Sequence, residues 1–197
     1  MRFLGYVCAS YLAQIVLADW QFRSRPDLSP PKLNITTPAH GATESGYIFV
    51  APYAAFTPGS WGPQQSGGYI FKDDGDLVWS SVGRLGGWVA NFRPTEHHGK
   101  PMLQAFEGVL DAAHGRMYGK HSLLNEKYEI VKTVVAANHR LVSVHEFHIT
   151  KDNTVLIETP LAVPTDLRRW GGKGDQQWVV SNGFQGSFLS HEITIAC

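Results

Sequence analysis

The run Tyr69-Ile70-Phe71-Lys72-Asp73-Asp74-Gly75-Asp76-Leu77-Val78-Trp79 limits the possible folds more than any other part of this chain. An Asp-Gly pair between aromatic and β-branched residues marks a hairpin, because a tight turn needs backbone at positive φ, which Gly and Asp tolerate. The same unit recurs along the chain. Gly46 to Val50 is a compact β run and Met102 to Phe106 a short strand. Ser122 to Leu124 and Tyr128 to Val135 flank the polar turn Asn125-Glu126-Lys127. His145 to Thr150 and Thr154 to Thr159 flank Lys151-Asp152-Asn153, and Gln177 to Val180 begins a further strand. Repeated hairpins without helical periodicity predict an all-β domain, as a sandwich, barrel or propeller.

Charge narrows the function classes. With 17 basic and 17 acidic side chains in 197 residues, no net field steers the chain toward nucleic acid or an anionic membrane. The N-terminus carries a different message. Arg2, the apolar stretch Phe3 to Leu17 and the small residues ending at Ala18 predict a signal helix over 1–18, cleavage near Ala18 and a secreted product. The stretch is about 15 residues against the ~20 needed to span a bilayer. The alternative is a membrane anchor formed by an uncleaved signal. Residues 19–45, rich in Pro, Ser and Thr, read as an extended lead-in, and 46–197 as the β domain. Asn34-Ile35-Thr36 is a glycosylation sequon, so Asn34 is expected to carry a glycan in a secreted eukaryotic glycoprotein. Cys8 lies in the signal and Cys197 is the last residue, leaving no internal disulfide and no cysteine-based zinc site.

The hairpin at Tyr69 to Trp79, followed by Asn91-Phe92-Arg93-Pro94, resembles the opening of the fungal arylsulfotransferase-like (ASST) proteins. Ala113-His114-Gly115, leading through Tyr118-Gly119 to Leu124 and Tyr128, is similar to the family's His-Gly segment. Val144-His145-Glu146-Phe147 resembles its His-Glu-Phe strand, and Val180 to Gln185 its Asp-Ser-Gly-Phe-Gln segment. Two departures stand out: Ala112-Ala113 and Arg116-Met117 replace a further Gly-His pair around His114, and the chain stops at Cys197, soon after Gln185.

The resemblance implies a six-bladed β-propeller, of which this chain holds an N-terminal part. At the usual repeat length that part amounts to about two to four blades. It also implies sulfuryl transfer from a phenolic sulfate ester to a phenol, with a histidine as transient nucleophile and no nucleotide donor or other cofactor. The partners are then small aryl sulfates and phenols. The competing expectation is a catalytically silent secreted module that binds or scaffolds and self-associates through open blade edges.

Sulfuryl transfer by histidine needs a neutral imidazole in line with sulfur, and cationic donors for the sulfonate oxygens. His145 matches the family's strand. Alternation places it on the face of Phe147 and Ile149, opposite His148. His114, beside Gly115, is the second catalytic candidate, since glycine lets backbone approach a ligand. Arg93 is the expected substrate-binding cation, because a guanidinium can fork onto two oxygens. His121, before a strand, is the second substrate-binding candidate. His97-His98 reads as a solvated loop, and Asp73 to Asp76 lacks the glutamate that completes a calcium loop, so no metal site is expected. Gly171 to Gly174 lacks the spacing of a phosphate loop.

Overall fold

The computed structural model describes residues 25–37, 40–41, 43–53, 62–111, 116–173 and 177–189. The predicted signal helix and Cys197 lie outside the described residues, as does His114. The all-β expectation holds, and the described strands form three antiparallel sheets.

The first sheet contains β1 (Tyr47–Val50), β2 (Tyr69–Lys72) and β3 (Leu77–Ser80). Its β2–β3 hairpin is the Asp-Gly unit read from the sequence. Gly75 sits at φ 91°, its N–H donating to the Lys72 carbonyl at 3.0 Å. The second sheet runs β4 (Trp88–His97), β5 (Lys100–Asp111), β6 (Arg116–Leu124) and β7 (Ile130–Val134). The third joins β8 (Phe147–Ile149), β9 (Thr154–Pro164) and β10 (Trp178–Phe188), with one 3-10 turn, Arg168–Trp170, in the last connection. In every sheet, strands that follow one another in sequence pair with one another.

The second sheet is the middle layer, because its side chains alternate between two cores. Val89, Phe92, Leu103, Ala105 and Leu124 pack toward the first sheet with Ile70 and Leu85. Phe106, Leu123 and Val134 point the other way, against Val142, Val144, Phe147, Val155 and Ile157. Burying each large apolar side chain stabilises the fold by roughly 1.5–3 kcal/mol, so a strand dressed on both faces is held firmly. Trp79 adds a tie on the first side, stacked on Tyr128 at 4.7 Å and on Phe92 at 5.9 Å.

The backbones of different sheets come closest at β1 with β4 and at β4 with β8, the first strand of each sheet. The third sheet covers the second with only part of its surface. Val155, Ile157 and Thr159 are buried, whereas Leu156, Leu161, Val163, Trp178, Val180, Phe184 and Phe188 are exposed.

Several expectations need correction. β4 is a ten-residue strand where sequence suggested only a motif, and β5 runs well past Phe106. His97 is not in a solvated loop. It closes β4 and is buried, while His98 turns the chain at φ 53° and is exposed.

Candidate functional site

A β-bulge sets the site. Ala90 pairs with Phe106, yet Arg93, three residues on, pairs with Gln104, only two residues back along β5. The extra residue turns Arg93 onto the face it would otherwise avoid, the one toward the third sheet. Asn91, at φ 45°, absorbs the bend; asparagine is among the few side chains that accept this region.

Two side chains of the bulged strand then reach across to the lead-in of β8. Asn91 Nδ2 donates to the carbonyl of His145 at 3.3 Å, and Arg93 Nη2 donates to the carbonyl of Phe147 at 3.1 Å. Buried Gln104 fixes the amide of Asn91, its Nε2 donating to Asn91 Oδ1 at 3.1 Å. Arg93 and His145 are both exposed on this seam. One guanidinium nitrogen is thus committed to backbone, which orients the group while leaving N–H donors for a ligand.

His145 does not follow the parity read from sequence. The strand begins at Phe147, and Val144 and His145 form a bend, so Val144 is buried and His145 is exposed although Phe147 faces the core. The bend is held from within. The His145 N–H donates to Ser143 Oγ at 3.1 Å, and the Ser143 N–H donates to the Glu158 carbonyl at 2.9 Å.

His121 lies beneath this bend. It sits in β6 with no exposed surface, its ring 4.6 Å from Phe147 and 5.5 Å from Phe106. Its Nε2–H donates to the Ser143 carbonyl at 2.8 Å, since a carbonyl can only accept. Nδ1 is buried with no hydrogen-bond partner. Burial pushes the His121 pKa down to about 4; the Ser143 carbonyl opposes the shift, and the Arg93 cation adds to it. The ring is therefore neutral near pH 7 and offers no surface to a substrate. It supports Ser143, and through Ser143 the bend that carries His145.

A carboxylate that sequence reading passed over completes the other face. Glu107 is buried on β5, accepting the Ser122 hydroxyl at 2.5 Å and the Gly86 N–H at 2.7 Å, with Lys120 Nζ at 3.7 Å. It pins the loop before β4 to the middle sheet. Gln185 does the same for the loop before β8, accepting from the Ala137 N–H at 2.8 Å and donating to its carbonyl at 3.1 Å. Asn34 is exposed. Among the described residues no cluster of His, Cys, Asp or Glu is arranged to hold a metal, and no helix is long and apolar enough to cross a membrane.

The molecule is thus an all-β protein of stacked antiparallel sheets with an arginine and a histidine exposed on the seam between two of them. The family model described as arylsulfotransferase (ASST) matches residues 93–190, a span that starts at Arg93 and takes in His121 and His145. Over that span the chain is similar to the arylsulfotransferase family. No curated protein and no solved structure matches it.

Proposed function

We propose that the chain serves sulfuryl transfer from a phenolic sulfate ester to a phenol, with His145 as the transient nucleophile and Arg93 as the sulfonate-binding cation. The observation that carries this reading is the seam itself. Asn91 and Arg93 are bonded to the carbonyls of His145 and Phe147, which keeps a guanidinium and an exposed imidazole on one edge within the family match.

In the first step the neutral imidazole attacks sulfur. An N–S bond forms, the S–O bond to the donor breaks, and the phenolate departs with the electron pair and is protonated. In the second step the acceptor phenol passes its proton to the imidazole of His114, which gave one to the departing phenolate, as its oxygen attacks sulfur. The N–S bond breaks, and the imidazole is restored. Arg93 donors on the sulfonate oxygens stabilise the charge in both transition states. His114 is assigned as the second imidazole, donating to the leaving phenolate. His121 supports the site from below through Ser143. The reaction as written uses no cofactor.

The converging first strands β1, β4 and β8 support a propeller, in which such strands line a central channel. On this reading the seam faces that channel, the protein is secreted after cleavage near Ala18, and Asn34 carries a glycan. An uncleaved N-terminal anchor is the alternative placement.

The test is transfer from 4-nitrophenyl sulfate to phenol. The chain should release nitrophenol only with an acceptor present, and His145→Ala should lower kcat by about a thousandfold or more. Arg93→Gln should lower kcat/KM for the ester, through kcat as well as KM. Full turnover by His145→Ala, or none by the native chain, would overturn the assignment.

A second reading, a catalytically silent module that self-associates, is favoured by one observation: the apolar outer surface of β9 and β10, including Trp178, Phe184 and Phe188.

A further inference from the structure

At the far end of the middle sheet a cavity of about 580 Å³ is lined by His97, His98, Lys100, Met102, Asn125, Glu126, Val131 and Lys132. It differs in every lining residue from the seam that carries Arg93 and His145. Strand register explains how basic groups gather here. His97 pairs with Lys100 across the β4–β5 turn, and Lys132 on β7 pairs with Leu123, whose other neighbour Gln104 lies on the same face as Arg93. Lys132 therefore points to the same side of the sheet as His97 and Lys100.

Lys132 is the informative member. Its ammonium nitrogen is shielded from solvent and has no hydrogen-bond partner. A shielded cation without a partner is costly, and a buried charge is ordinarily paired. Among the described residues lining the cavity, Glu126 carries the only carboxylate and is exposed, against the two ammonium groups of Lys100 and Lys132. In a chain with no net charge this is a local excess of positive charge around a space large enough for a ligand.

We infer that this cavity is an oxyanion-binding site, taking a tetrahedral sulfate or phosphate group, free or as the head of a small ester. Lys132 supplies the central charge, and Lys100, His97 and His98 supply donors from the β4–β5 side. Ammonium groups are compact point charges that suit a small tetrahedral oxyanion, whereas a planar carboxylate is better matched by a guanidinium fork. Met102 and Val131 form an apolar wall on which the body of an ester can rest.

Thermal unfolding of the full chain tests this, with sodium sulfate, sodium phosphate or phenyl phosphate titrated against sodium chloride at matched ionic strength. The native chain should show a saturable rise in Tm with the oxyanions and none with chloride. A lower half-saturation for phenyl phosphate than for phosphate identifies an ester as the better occupant; equal values identify the free ion. Arg93→Gln should retain the response, because the seam is elsewhere. Lys132→Met, which keeps the stem and removes the charge, should weaken it at least tenfold. Lys100→Ala should weaken it severalfold without threatening the fold, so it decides the matter if Lys132→Met fails to fold. A response in the native chain no greater than that to chloride overturns the site. So does native-like binding by Lys132→Met or Lys100→Ala, or loss of the response in Arg93→Gln.

Discussion

His121 contributes to stability only while it is neutral. Its folded pKa of about 4 lies below the ordinary 6.5, so the unfolded chain binds the proton first. Stability from this group is full above pH 6.5 and is lost as pH falls toward 4. The loss reaches about 3 kcal/mol once pH is below the folded value. His121→Phe, packed between Phe106 and Phe147, lacks this term. Urea unfolding should show the gap between native and variant closing, or reversing in favour of the variant, as pH drops from 7 to about 4. A gap independent of pH would mean that the buried ring does not titrate as described.

At the scale of the element, β5 and β6 come together at Gly108 and Gly119, which are paired in register. A Cβ added at Gly119 meets the Glu107 carbonyl oxygen, lies 2.6 Å from Phe106 Cζ and 3.0 Å from Gly108 Cα. Gly119→Ala should therefore cost about 1–3 kcal/mol by forcing strand and ring apart, measurable as a lower Tm. This crowding could not be read in advance, because it depends on which residues face each other. The hairpins at Asp73 to Gly75, Asn125 to Lys127 and Lys151 to Asn153 were legible, since turn chemistry is local. β4 was not. Its bulge at Asn91 breaks the alternation, and Pro94 argues against a strand by ordinary rules. β5 looked short because Glu107 and Gly108 follow Phe106, and a buried carboxylate bonded to Ser122 and Gly86 reads as a surface residue in one dimension. The site was legible in part. Arg93 could be named as a candidate from its guanidinium chemistry and His145 from the resemblance of its strand, but the bend that exposes His145 rests on Ser143, Glu158 and Asn91, contacts from three separate stretches of chain.

For the whole molecule, layering decides behaviour in solution. The middle sheet packs into an apolar core on each face, whereas the third buries one face and exposes Phe188 at 83% and Trp178 at 52% on the other. If that surface drives self-association, sedimentation velocity should show species growing with concentration, and Phe188→Ser with Val180→Thr should shift the distribution toward monomer. A native chain that stays monomeric at high concentration would count against the silent-module reading. The seam between the second and third sheets has a different kind of consequence. Asn91 and Arg93 grip carbonyl groups, which every residue possesses, so the grip at position 145 is indifferent to the side chain there. The scaffold can hold its shape while the exposed side chain at 145 is exchanged, which separates the evolution of the side chains on this edge from the evolution of the fold.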